Sequence, residues 1–415
     1  MKPFHKALAA FLAVILIVSA AGCGNISFSK QWSYKYSDKS LDQQYDIGVY
    51  IYSLYQAYNS AKTYAEKAKG YKENESFMDL EIKDDDGKKA KASDWTKDEA
   101  KKNSLNLVAL DYLCATKGAT WDEASMKDAD SQAKDTWEMG PYASYGYYQP
   151  QKDELEKYGV SLDSFRLASY EANVKQTALF KKLYEKGGLE EVSDKELTDF
   201  ILKDYVGYSY IPVKLYTETQ AASETEAAKT EKFKDKKLKD VKSGLETLAK
   251  EIADGSTTLD KAVEKAVKDY SVTDADVKKN EIDLPDNIKN DNEDVNKALE
   301  SLKAGEAKVI TVGEDGDSPM AYIVVKNEIK NKDAEAMVKD AQKRSDALNN
   351  MKKDDLKDLL TKTGEDLKKS DSLEINEGAI NSYDPGMFFV KQEETKAADA
   401  AKSDDSDDSD DSSDE

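Results

Sequence analysis

Residues 205–216, YVGYSYIPVKLY, are rich in β-branched and aromatic side chains and come immediately after the helix that VSDKEL at 192–197 starts. A strand on its own leaves backbone amides and carbonyls without partners, so this one must pair elsewhere in the chain. The comparable stretches are AKVITV at 307–312 and MAYIVVKNE at 320–328, joined as a hairpin by GEDGDSP. Its first and final strands are therefore expected side by side in one small sheet, with Ile211 and Ile323 in the same module. Residues 206–328 then close as a compact α+β unit, and the remainder of the chain has to be arranged around that closure.

Most of that remainder reads as helix. Within 41–69, Ile47, Ile51, Leu54, Tyr55, Tyr58, Ala61 and Ala65 recur at helical spacing. Over 97–116, Leu105, Val108, Ala109, Tyr112 and Leu113 share a face, with Cys114 beside it as a small buried side chain. A helix over 121–135 precedes a long one opened by Ser161, with Phe165, Ala168, Ala172, Leu179 and Leu183 inward, ended by Gly187 and Gly188. Ser193 and Glu196 form a capping box with Val192 and Leu197 as its hydrophobic staple, which starts a helix over 194–205.

Beyond the first strand, the start of TETQAASETEAAKTEKFKDKK reads as a mobile insertion, and 274–292 as polar loop. Helices follow at 238–252, 258–272 and 295–305, and helix returns over 332–369. The fold class is α+β, mostly helical.

Composition narrows the partners. Formal charge is −22, from 83 acidic against 61 basic residues, which disfavours nucleic acid and anionic lipid headgroups as broad targets. The lone histidine is His5, and no CxxC, HExxH or phosphate-cradling glycine loop occurs. A Ser/His/Asp or Cys/His mechanism is excluded once the N-terminal leader is removed. DDDG at 84–87 fails the EF-hand spacing, with Ile82 at the first ligand position and Ser93 at the twelfth, so it reads as a turn and no metal or cofactor is expected.

The N-terminus carries Lys2 and Lys6, then an apolar run from Ala7 to Val18, which is short for a bilayer span and reads as a signal peptide. Ala20-Ala21-Gly22-Cys23 resembles a bacterial lipobox, with alanine where leucine is usual, which implies acylation of Cys23 after cleavage. That resemblance implies a protein anchored by lipid to the outer face of the bacterial cytoplasmic membrane, with residues 23–40 as a polar tether. At the other end, 391–415 is an acidic Ser/Asp tail expected to be disordered.

Aromatic residues cluster at 136–150, TWEMGPYASYGYYQP, where Trp137, Tyr142, Tyr145, Tyr147 and Tyr148 sit among glycines and prolines. Such a loop either holds apolar segments of another polypeptide or packs on its own domain, and the residues leave both open.

Four stretches together resemble the PrsA and SurA type of extracytoplasmic foldase. EKYGVSLDSFR with the following helical pair and VSDKEL is similar to the family's helical lead-in, YSYIPVKL to its first parvulin strand, LKAGEAKVITV to its LKPGEVSEPV turn, and MAYIVVKNE to its closing strand. The resemblance implies a helical N-terminal chaperone lobe at 41–205, a parvulin-like domain at 206–328, and a C-terminal helix at 329–390 that returns to the first lobe. It also implies unfolded or secreted polypeptides as partners, with subunit number open, a homodimer included.

Where the family's strands carry histidines this chain has Tyr210 and Tyr322, and VTDADVKKNEIDLPDN stands where a glycine-rich segment is usual. A chaperone whose isomerase activity is lost is the leading expectation, ahead of an active peptidyl-prolyl isomerase. A solute-binding lipoprotein ranks third, because repeated strand-helix alternation is missing.

Overall fold

The computed structural model describes residues 32–220 and 229–391. The leader at 1–22, Cys23 and the acidic tail beyond Lys391 lie outside the described residues. The chain is α+β and mostly helical, and it divides into two compact units, one of residues 191–353 and one formed by the segments on either side of it. Among the described residues no helix is long and apolar enough to cross a membrane.

In the first unit, β1 (Trp32–Ser37) and β2 (Asp42–Asp46) lead into the helix Ile47–Ala65. Both strands correct expectation: 32–37 were to be tether and 42–46 the start of the helix. Their core residues are tyrosines, and Tyr34, Tyr36 and Tyr45 are buried. The short hairpin of β3 (Glu81–Lys83) and β4 (Lys89–Lys91) places DDDG in its turn, where Asp84 accepts from the Lys88 amide and the Trp95 indole. Helices Ala92–Lys117 and Glu123–Met139 follow.

The long helix expected from Ser161 is interrupted. Ser161 caps as anticipated, but α-helix gives way to a π-helical turn at Leu167–Glu171 before Ala172–Tyr184 resumes. Wider turns shift the phase of the inward face, so Ala168 is only half-buried while Phe165, Leu179 and Leu183 stay in the core.

The second unit begins with the helix Asp194–Asp204, whose Ser193/Glu196 capping box is formed and whose staple residues Val192 and Leu197 are buried. It is followed by β5 (Val206–Lys214), a hairpin of β6 (Tyr216–Gln220) and β7 (Lys229–Lys232), and helices Asp235–Ala253 and Leu259–Tyr270. The two hairpin strands take up the two sides of the expected insertion, whose residues 221–228 lie outside the described residues. Next come β8 (Lys278–Asp283), helices Pro285–Asp291 and Glu293–Ser301, β9 (Ala307–Val312) and β10 (Met320–Asn327). A strand and a helix thus occupy the stretch expected as polar loop.

β5 and β10 pair antiparallel with Ile211 opposite Ile323, and the sheet order is β8-β5-β10-β9. Alternation along β5 sends Ile211 and Val213 to a core under the 235–270 helices and Tyr208 to a smaller one under 285–301. Helices Asn331–Lys339 and Ala341–Leu367 follow, separated at Asp340, so the single helix expected over 332–369 is two. The unit is wider than the 206–328 span, since it takes in the helices Asp194–Asp204 and Asn331–Lys339 and the helix from Ala341 as far as Lys353.

The chain end returns to the first unit. β11 (Leu373–Ile375) pairs antiparallel with β1, opposing Tyr34 to Ile375 and Tyr36 to Leu373, in a sheet ordered β11-β1-β2. Further on, Phe388 inserts among Tyr55, Tyr58 and Tyr158 at ring-centroid distances of 5.4, 5.5 and 4.8 Å.

Candidate functional site

Two features of the structure are candidates for function, one in each unit. On the sheet of the second unit, Tyr210 on β5 and Tyr322 on β10 lie two residues out of register and so on the same face, because Tyr322 opposes Pro212 and Tyr210 opposes Val324. Residues diagonal across a pair are within reach of aromatic rings. The two rings meet edge to face with centroids 5.6 Å apart, and Tyr208 stacks on Tyr210 at 6.2 Å. Strand alternation therefore produces a row of three phenols on one face.

A cleft of about 370 Å³ opens beside the row, lined by Tyr210, Pro212, Met320 and Tyr322 together with Asp276 and Lys278. Asp276 and Lys278 belong to the 274–292 stretch, where no apolar periodicity marks them as part of a site. Burial raises the pKa of both cleft tyrosines, with their mutual proximity and the acids Asp291, Glu281 and Asp276 adding to the effect at Tyr210. Neither phenol therefore exchanges its proton at neutral pH. The cleft can donate and accept hydrogen bonds and cover apolar surface, which suits binding. Among the described residues, no group of three or more His, Cys, Asp or Glu side chains is placed to hold a metal.

The second feature is the tyrosine loop. The Glu123–Met139 helix runs a turn further than expected and takes Trp137 into the core, where it is 3% exposed and packs on Phe165 at 5.4 Å. Trp137 is thus corrected from loop aromatic to anchor. At the base of the loop the Gly140 amide donates to the Thr136 carbonyl and the Gln149 amide to the Met139 carbonyl, at 2.9 and 3.0 Å. Gly140 has φ +93, and a Cβ there would run into the Gln149 backbone, so only glycine fits. From this pinched base Tyr142, Tyr145, Tyr147 and Tyr148 project with 59, 78, 70 and 69% exposure.

Other tyrosines of the first unit are structural. Tyr55, Tyr58 and Tyr184 are pushed up to about 12 by burial, and Tyr34, Tyr45 and Tyr50 are raised further by the same cause. A folded-state pKa above the unfolded value of ~10 gives stability that is complete below that pH and lost as pH rises through the folded value. The unit is expected to unfold cooperatively above pH ~10, recorded by phenolate absorbance and far-UV circular dichroism together. Gradual phenolate appearance without loss of helix would contradict the burial. Cys114 is likewise buried, with its thiol pushed up to about 11 by desolvation, so it is an unreactive thiol.

No family model matches the chain, and no curated protein matches it. Among solved structures, it is similar to the foldase protein PrsA from Streptococcus pneumoniae, with 15% identity over 73% of this chain and 97% of that one and a TM-score of 0.32. At that score the backbones follow one another only loosely.

Proposed function

We propose that this chain is a membrane-anchored extracytoplasmic chaperone that binds unfolded secreted polypeptides, using its tyrosine cleft to hold chain and not to turn over prolyl bonds. The observation that carries the reading is the loop at 140–149, which presents four large rings to solvent on a base fixed by Gly140 and Trp137. Exposed phenols offer wide apolar faces with one hydrogen-bonding tip, a chemistry that accepts many sequences. The anchor in this reading is Cys23, on the outer face of the cytoplasmic membrane.

Tyr210 and Tyr322 meeting in one cleft is what an isomerase reading would rest on. Their raised pKa values favour binding over proton-assisted turnover. Replacing Tyr142, Tyr145, Tyr147 and Tyr148 together by serine is expected to cost under ~0.5 kcal/mol per exposed site in stability. The same variant should lose most of the suppression of aggregation that a Cys23→Ser form gives a chemically denatured client in light scattering. Equal suppression by the variant and the parent would sink the loop's role; no suppression by the parent at stoichiometric excess would sink the chaperone reading.

A further inference from the structure

The two edges of the four-stranded sheet are built differently. β8 is guarded: its register with β5 slips between Tyr208 and Tyr210, Asn280 has φ +54, and the Asn280 amide is turned onto Ser209 Oγ at 2.9 Å. Lys278 and Lys279 add charge to the same stretch. Bulges and lysines are the usual means by which a sheet edge is kept from pairing.

β9 is bulged only at its start, where Gly305, at φ +86, and Glu306 both face Lys326, and it carries one lysine, Lys308. Its register with β10 is unbroken from Ala307 opposite Val325 to Val312 opposite Met320. Lys326 N–H donates to the Glu306 carbonyl at 3.1 Å and Gly305 N–H to the Lys326 carbonyl at 2.7 Å, which fixes the phase of the ladder. Because bonded and non-bonded pairs alternate, Lys308, Ile310 and Val312 bond to β10, while the N–H and C=O of Ala307, Val309 and Thr311 point off the sheet. Among the described residues, no backbone bond from a turn, loop or cap reaches those outward groups. Four of the six residues are β-branched, and all but Lys308 are half-buried. Acids stand at both ends, Glu306 before the strand and Glu314, Asp315 and Asp317 after it, with Glu314 paired to Lys242 at 2.7 Å.

We infer that the β9 edge accepts an extended segment of another polypeptide as a fifth strand, β-branched in its middle and basic at its ends. Main-chain bonds supply affinity with little demand on sequence, and the bracketing acids select lysine or arginine flanks. A second copy of this chain is the wrong occupant. Antiparallel β9 to β9 pairing would set Glu306 of one copy against the 314–317 acids of the other, on chains of formal charge −22. The inference rests on the chaperone reading for the class of partner, but it names a site separate from the tyrosine loop and the cleft.

The probe is a short monomeric peptide of alternating valine and threonine with lysine at each end. Amide hydrogen exchange in the otherwise native protein should show added protection at Ala307, Val309 and Thr311 when the peptide is present. Val309→Pro removes one outward amide while leaving the bonds to β10, so it should fold and bind the peptide about tenfold or more weakly by fluorescence anisotropy, the loss of one or two main-chain bonds. Undiminished binding by a folded Val309→Pro, absence of protection at the three amides, or a β9-mediated dimer that the peptide does not displace would each overturn the inference. The four-serine loop variant is expected to protect these amides as the parent does, so failure of client holding and failure of the edge site give different results.

Discussion

A chain ending at Ser370 is expected to lose the fold of the first unit. β1 is the central strand of its sheet, and the truncation strips away β11 with the bonds from Ser37 N–H to the Ser372 carbonyl and from Asn376 N–H to the Ser33 carbonyl, at 3.0 and 2.9 Å. It also removes Leu373, Ile380 and Phe388, all buried. Emptying a site of that kind costs about 2–5 kcal/mol, so three together rival the ~5–15 kcal/mol that holds a domain. Salt bridges from Lys97 to Asp384 and Lys101 to Glu377 go as well, though their exposure makes them minor. Far-UV circular dichroism and limited proteolysis of residues 32–190 report the loss. A truncated chain that melts within a few degrees of the full-length protein would show that the returning segment is ornamental.

Asp111→Ala is expected to be the most damaging single substitution outside the apolar core. Asp111 takes a 2.7 Å contact from Lys175 Nζ on one oxygen and a 2.7 Å hydrogen bond from the Tyr45 hydroxyl on the other. The Asp111 and Lys175 side chains are only 10 and 15% exposed, and Glu171, in the π-helical turn, stands 4.0 Å from Lys175. Removing one partner leaves a buried ammonium without its main counter-charge, a cost of about 3–5 kcal/mol. Thermal melting should fall by roughly ten degrees. By contrast Lys195→Ala, which breaks the exposed Lys195–Asp199 pair of 2.6 Å, should cost less than ~0.5 kcal/mol. Pairing Asp111→Leu with Lys175→Met should recover most of the loss, because both charges then leave the interior. A melt for Asp111→Ala as mild as that for Lys195→Ala would contradict the burial of this network.

How far the sequence led depended on which side chains fill the core. β5 and β10 are legible because Ile211, Val213, Ile323 and Val325 are apolar and β-branched, and a strand of that kind demands a partner. β1 and β2 are not, since their core residues Tyr34, Tyr36 and Tyr45 carry hydroxyls and stand among serine, lysine, glutamine and aspartate. β8, KKNEID, has no buried apolar face to betray it, because it is a guarded edge. Of the candidate site, Tyr210 and Tyr322 were reached through resemblance to a family, whereas Asp276 and Lys278 enter the cleft by topology alone. Trp137 was misplaced because the helix continues past 135 to Met139 and stops only where Gly140 and Pro141 signal it.

The central claim is that the exposed tyrosines of 142–148 hold unfolded chain. Its most direct test is titration of a permanently unfolded, reduced and carboxymethylated polypeptide into the Cys23→Ser protein, read by calorimetry beside the four-serine loop variant. Saturable binding by the parent and its loss in the variant is the predicted result. Heats no larger than dilution for the parent, at any concentration reached, would contradict the account.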